Sequence, residues 1–121
     1  MQNTEKHLFS CSKIDKHAEY LGELQKLNEI LADVDAPKRK LVEGMIEDAA
    51  YLYAENKVLR ATLAETGMIR MNPNSPMQQK PIEAARQYRQ NAASYAVIIK
   101  TLNGVLSKNI SEEEDGMDEF E

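Results

Sequence analysis

Apolar residues recur at steps of three and four along three stretches of this chain, the spacing of one face of an α-helix. The first stretch predicts a short helix that begins at Ser12, whose hydroxyl can cap the amide of Asp15. Two aspartates and a proline in residues 32–37 end this pattern. The apolar positions of this first helix are Ile14, Ala18, Leu21, Leu24, Leu27 and Leu31.

A longer apolar stripe predicts a second helix that starts near Asp35 to Pro37 and ends at Gly67. Proline suits the first helical turn, and glycine can take the left-handed conformation that closes a helix. The stripe is wider than contact with a single partner helix requires. Its positions are Leu41, Val42, Met45, Ile46, Ala49, Leu52, Tyr53, Leu59 and Leu63.

Residues 66–77 contain a glycine and two prolines and therefore predict a loop. A third helix is predicted to begin at Ser75 and Pro76, where Ser75 and Gln78 can form a capping box. Pro81 can restart or kink this helix. The apolar positions that follow are Ile82, Ala85, Tyr88, Ala92, Tyr95, Ile99, Leu102 and Leu106.

Two long helices with a short connection normally lie antiparallel. The predicted fold class is therefore all-α, with a long antiparallel helical hairpin and a short N-terminal helix. A core of Leu, Ile, Val, Ala and Met in a chain without Trp agrees with helices. Cys11 is the only cysteine, so an intrachain disulfide is excluded, and a reducing compartment is expected. No segment has the length of a membrane span, so we expect a cytosolic protein without membrane contacts.

Charge is distributed unevenly along the chain. The formal net charge is −5, but residues 111–121 carry seven of the 20 acids and no base. Residues 1–110 therefore contain 13 acids and all 15 Lys and Arg residues, so this part of the chain is mildly basic. Residues 1–11 lack apolar periodicity, which predicts a flexible N-terminus before the helical domain at 12–110. The charge asymmetry predicts an acidic flexible tail at 111–121. The tail serves either as an interaction segment or only as a solubilising end.

The broad apolar stripes predict self-association, because a slender hairpin leaves part of them in water. The loop at 66–77 adds further apolar side chains. The residues predicted to lie at the oligomer interface are Met45, Leu52, Leu59, Met68, Ile69, Met71, Tyr95 and Ile99.

Basic residues form two small clusters that can contact phosphates. One is PKRK at 37–40, where the free amides of a helix start add to the positive charge. The other lies around the start of the first helix. The predicted DNA-binding residues are Lys13, Lys16, Lys38, Arg39 and Lys40. Such clusters are also common on solvated surfaces, but repetition around an oligomer would strengthen phosphate binding.

No catalytic constellation is apparent in the sequence. His7 and His17 are the only histidines, and His17 fits an ordinary position on a helix surface. The sequence contains no glycine-rich phosphate loop and no paired Cys and His spacing for a metal. We therefore expect a protein that is not an enzyme and that needs no cofactor or metal.

Two successive segments carry a motif: the end of the long helix, LAETGMIRMNPNSP, and the helix that follows, QKPIEAARQYRQNAASYAVIIKTLN. Over residues 38–108 they resemble the small terminase subunit of tailed bacteriophages. LNGVLSKN stands where that family often has Leu-Gly-Leu-x-Pro, and residues 1–35 show no match. The matching positions are Leu63, Gly67, Met68, Ile69, Asn72, Pro73, Leu102, Gly104 and Leu106.

The resemblance implies a non-catalytic ring homo-oligomer in the host cytoplasm. It would bind double-stranded viral DNA, and it would recruit and regulate the large terminase subunit, the ATPase and nuclease of genome packaging. Met68, Ile69 and Met71 would then be buried against the hairpin or an adjacent subunit. The alternative is a helical adaptor or scaffold that binds only protein, which the net charge of −5 keeps open.

Overall fold

The computed structural model describes residues 14–67, 69–72 and 74–118. These ranges are predominantly helical, as the sequence predicts. Two short strands lie between the second and third helices. The body consists of three helices: α1 (Lys16–Ile30), α2 (Ala36–Thr66) and α3 (Glu83–Asp118).

Helix α1 is capped by Asp15. A carboxylate oxygen of Asp15, Oδ1, accepts hydrogen bonds from the backbone N–H groups of His17 and Ala18, both at 3.1 Å. The predicted helix start at Ser12 is wrong, because Asp15 has an extended backbone (φ −78°, ψ 101°) that cannot continue a helix. Ser12 itself lies outside the described residues.

Helix α2 begins and ends where the sequence predicts. Pro37 lies in its first turn, and the N–H of Gly67 donates a hydrogen bond of 2.8 Å to the carbonyl of Leu63. Gly67 has a φ of 78°. At 1.5 Å per residue, this helix is about 46 Å long.

Contacts between α2 and α3 pair residues in opposite directions along the chain. Lys38, near the start of α2, meets Glu112 near the end of α3. Asn56, in the second half of α2, meets Tyr88 near the start of α3. The two helices therefore lie side by side and antiparallel, and α1 also packs on α2.

The hydrophobic core lies where the three helices meet. Among the described residues, Leu31 and Ile46 are the largest fully buried side chains. Ala49 and Ala50 are also fully buried, and their small size allows neighbouring helices to approach α2 closely. The core cluster comprises Leu27, Leu31, Val34, Val42, Ile46, Ala49 and Leu102.

The connection between α2 and α3 differs from the prediction of a loop and a helix start at Ser75. It forms two antiparallel strands, β1 (Ile69–Asn72) and β2 (Ser75–Pro81), with Ile69 opposite Pro81 and a register shift after Met71. The physical reason lies in Pro81, which disfavours helical backbone in the preceding residue and lacks an N–H. Helix α3 therefore starts at Glu83, after the last proline.

Helix α3 also extends further than predicted. It continues to Asp118, beyond the domain boundary at residue 110, and so includes most of the acidic segment. Residues 1–13 and 119–121 lie outside the described ranges, and with them lies the predicted flexible N-terminus.

Candidate DNA and subunit interfaces

The basic cluster at the start of α2 contacts the end of α3. Nζ of Lys38 lies 2.7 Å from Oε2 of Glu112, in an ion pair that is also a hydrogen bond. This hydrogen bond raises the pKa of Lys38 and lowers the pKa of Glu112. Lys38 is therefore charged, but its ammonium group already has an anionic neighbour.

Arg39 and Lys40 have different surroundings. Nη2 of Arg39 donates to the carbonyl and the side-chain oxygen of Asn28, at 3.3 and 3.2 Å, so the guanidinium ties α2 to α1. Lys40 is exposed and lies beside Arg39 and Glu43 in a shallow depression of about 230 Å³. Of the predicted cluster, Lys40 is the base most open to solvent.

Lys16 does not join this cluster. Its Nζ lies 3.0 Å from Oε1 of Glu55, which is about 25 Å along α2 from Lys38. The neighbouring pair of Lys57 and Glu19, at 3.1 Å, also links α1 to α2. The structure therefore brings residues 38–40 together and leaves Lys16 at a separate place. Lys13 lies outside the described residues.

The predicted interface residues divide into two groups. Met45, Tyr95 and Ile99 are half-buried against the core of their own chain. Leu52 and Leu59 are also partly buried. Met45, Tyr95 and Ile99 thus pack within their own chain, whether or not a second copy covers the rest of their surface.

The remaining predicted interface residues belong to the strand region. Ile69 in β1 is 54% exposed. Met71 also lies in β1, where its backbone is opposite Gln79. Met68 lies outside the described residues. Ile69 is therefore the predicted residue of this region whose side chain is seen to face solvent.

Among the described side chains, the two most exposed large apolar residues are not in the predicted interface. Leu41 in α2 is 84% exposed, and Val97 in α3 is 65% exposed. Helical spacing places Leu41 on the same side of α2 as Met45, Leu52 and Leu59. The signal for Leu41 was therefore present in the apolar stripe. Periodicity identifies the stripe, but it cannot tell which of its members the neighbouring helices leave uncovered.

A second apolar surface lies between α1 and α3. It is a groove of about 190 Å³, and Ile30 at its edge is half exposed. Ile110, one turn beyond Leu106, is equally exposed. The groove is lined by Leu27, Ile30, Leu31, Ile99, Leu102, Asn103 and Leu106.

A larger apolar depression of about 370 Å³ lies between the start of α1 and the middle of α2. His17 and Tyr20 stack at one side with ring centres 6.3 Å apart, and Tyr51 is exposed on the other. Lys16 and Ala54 complete the lining. The ion pair with Glu55 neutralises the Lys16 ammonium at this edge, so the depression has aromatic rather than basic character.

Within the described residues, no three His, Cys, Asp or Glu side chains come together as metal ligands. His17 instead makes its ring contact with Tyr20. In the same part of the chain, none of the helices combines the length and the apolar character needed to cross a membrane.

Comparisons with protein families, with curated proteins and with solved structures found no match to this chain.

Proposed function

We propose that this chain is a small terminase subunit of a tailed bacteriophage. In this proposal it is a non-catalytic protein that forms a ring, binds viral double-stranded DNA and recruits the large terminase subunit for genome packaging. The observation that carries the proposal is the presence of exposed large apolar side chains at the α1–α3 groove and also away from it, at Leu41 in α2 and Val97 in α3. It adds to the sequence resemblance over residues 38–108.

The two apolar surfaces suit a ring better than a two-fold dimer. Leu41 and Val97 are exposed outside the groove between α1 and α3, whereas Ile30 lines that groove and Ile110 lies one turn beyond its residue Leu106. At 100° per residue, Val97 and Ile110 lie about 140° apart around α3. A ring joins different surfaces of successive subunits, whereas a two-fold dimer joins one surface to itself. In the proposed ring, the Leu41 side of one subunit packs on the α1–α3 groove of the next.

The proposed DNA contact is the start of α2. Lys38 and Lys40 lie in its first turns, where the helix dipole and free N–H groups favour an anion. One subunit offers few phosphate contacts, but the counterions released by each subunit of a ring contribute together to binding. We propose Lys40 as the primary phosphate contact, because it is exposed.

The proposed contact with the large subunit is the acidic end of α3. Its run of acids at 112–115 suits a basic surface on a partner. Removal of residues 111–121 should weaken stimulation of the large-subunit ATPase while the ring mass, corrected for the missing residues, stays the same. Unchanged stimulation would remove this part of the proposal.

A helical adaptor that binds only protein is the second candidate. It is favoured by the surroundings of the predicted DNA-binding bases, since Lys16, Lys38 and Arg39 each bond to a group of the same chain. An adaptor needs the exposed apolar surfaces and does not need free bases.

Two measurements test the proposal and separate it from the adaptor. Light scattering over a range of concentrations should give a mass that is a multiple of the 13.7 kDa chain. DNA binding should weaken steeply with salt, because phosphate contacts release counterions. A monomer at every concentration contradicts the ring, and an oligomer without DNA binding at low salt favours the adaptor.

A further inference from the structure

The acidic segment near the end of α3 lies against the start of α2. Nδ2 of the buried Asn109 donates a hydrogen bond of 3.2 Å to the carbonyl of Asp33, in the link between α1 and α2. This contact fixes the last turns of α3 beside the basic cluster. Glu112 follows one turn later and reaches Lys38 at 2.7 Å.

The Lys38–Glu112 pair is open to solvent and can therefore exchange partners. The side chain of Lys38 is 33% exposed and that of Glu112 is 55% exposed. Exposed ion pairs hold their partners weakly, because water and salt screen them. A phosphate can therefore compete with the Glu112 carboxylate for the same ammonium group.

We propose that Glu112 is an intramolecular competitor for the phosphate site at Lys38. The inference rests on the proposed function, because the competing ligand is the DNA backbone. In the closed state, which is the state that the structure shows, the Glu112 carboxylate pairs with the Lys38 ammonium and occupies the place that a phosphate oxygen would take. A basic partner that draws the acidic segment away would free Lys38, so partner binding and DNA binding would strengthen each other.

The competition makes a specific prediction about salt dependence. In the wild-type chain, Lys38 exchanges a carboxylate for a phosphate, and the released carboxylate attracts a cation from solution. In E112Q, Lys38 is free to neutralise a phosphate without that exchange. Each phosphate contact adds about 0.9 to the slope of log affinity against log salt for duplex DNA. E112Q should therefore bind more tightly at low salt and with a steeper slope.

The experiment measures fluorescence anisotropy of a labelled 30-base-pair duplex with the full chain, between 50 and 200 mM salt. The variants are E112Q, E113Q, K38Q and the double variant K38Q/E112Q. Glu113 is the matched control, because the change in charge is the same one residue away, and its recorded contact is with Asn109. All four variants should keep the helix content of the wild type by circular dichroism.

We expect E112Q to bind DNA about 3- to 10-fold more tightly than the wild type at 50 mM salt. With one added phosphate contact per bound subunit, the ratio of the E112Q affinity to the wild-type affinity should be about threefold smaller at 200 mM salt than at 50 mM salt. E113Q should differ from the wild type by less than about twofold, because Glu113 contacts the neutral side chain of Asn109 rather than Lys38, and exposed charges contribute little. In the K38Q background, E112Q should have no further effect, as expected for residues that act through one contact.

Equal gains from E112Q and E113Q would overturn the inference, because they would reveal general charge repulsion. The inference would also be overturned if E112Q raised DNA affinity as much in the K38Q background as in the wild type, because the effect would then not depend on Lys38. Equal binding by the wild type and E112Q would remove this inference alone. If none of the five proteins binds the duplex at 50 mM salt, the proposed DNA function fails and the inference falls with it.

Discussion

The hydroxyl of Tyr95 on α3 donates a hydrogen bond of 3.1 Å to Oε1 of Glu23 on α1. Glu23 is only 4% exposed, and its other oxygen lies 3.9 Å from Nζ of Lys26. A buried carboxylate is costly unless hydrogen bonds and charges compensate for the loss of water. The hydroxyl of Tyr95 therefore stabilises the position of α1 against α3.

Removal of this hydroxyl should destabilise the protein. Y95F leaves the buried Glu23 carboxylate without its hydroxyl partner, so we expect a loss of about 1–3 kcal/mol in the free energy of unfolding. E23Q keeps an acceptor for Tyr95 and should change stability by less than about 1 kcal/mol. Urea unfolding of both variants checks this expectation. A Y95F variant with the stability of the wild type would show that this hydrogen bond does not hold the helices together.

Tyr95 should also make stability depend on alkaline pH. Burial, with the nearby Glu23 charge, raises the pKa of Tyr95 from 10.0 to about 12. The neutral hydroxyl is therefore favoured in the folded state. This contribution is complete below pH 10 and is lost as the pH rises from 10 through about 12. Tyrosinate absorbance near 295 nm should show one tyrosine that titrates late, and Y95F should lack this late step.

The two aspartates before α1 and α2 should differ in their contribution to stability. Asp15 accepts two backbone hydrogen bonds, so D15A should cost about 1 kcal/mol. Asp35 makes no capping hydrogen bond with its side chain, so D35A should cost about 0.5 kcal/mol or less, through the lost charge near the helix dipole and Lys38. Chemical unfolding of each variant tests the difference. A loss from D35A as large as that from D15A would contradict it.

These caps also show where local sequence reasoning succeeds and where it ends. The bounds of α2 follow from a sustained apolar stripe with proline and glycine at its ends, because each signal acts within a few residues. Ser12 and Asp15 are both good caps, and their order alone does not decide between them. For α3, Pro76 and Pro81 each suggest a nearby helix start, and the pairing of β1 with β2 delays the start until after Pro81.

Two glycines should respond to alanine in opposite directions. Gly67 has φ 78° and ψ 171°, a region open almost only to glycine, so G67A should cost about 1–3 kcal/mol. Gly104 lies inside α3 with open space around it, so G104A should add about 0.5–1 kcal/mol of stability. Thermal unfolding of the two variants measures both effects. A stabilising G67A would mean that α2 closes in another conformation.

The candidate site was less predictable than the helices, and the reason is distance along the chain. Sequence reasoning identified both the basic cluster at 37–40 and the acidic segment at 111–121. It did not pair them, because Lys38 and Glu112 lie 74 residues apart. Glu23 and Tyr95 lie 72 residues apart, and helical spacing gives no information on such pairs. Contacts of this kind depend on the packing angle and register of whole helices.

Two leucines distinguish the core from the proposed interface. Leu31 is fully buried in the core, so L31A should cost about 2–5 kcal/mol in the free energy of unfolding, through lost contacts and the cavity left behind. Leu41 is almost fully exposed, so L41A should change the stability of a single chain by less than about 0.5 kcal/mol. The chemical change is identical in the two variants, and only the surroundings differ.

The same pair of variants tests self-association, because an interface residue affects mass and a core residue affects folding. L41A should lower the average mass in light scattering at a concentration where the wild type is oligomeric, with unchanged helix content. Unfolding is then compared at several protein concentrations, since association stabilises the folded state in proportion to the logarithm of concentration. Loss of this concentration dependence in L41A supports an interface at Leu41. An L41A chain with the wild-type mass and the wild-type concentration dependence removes Leu41 from the proposed interface.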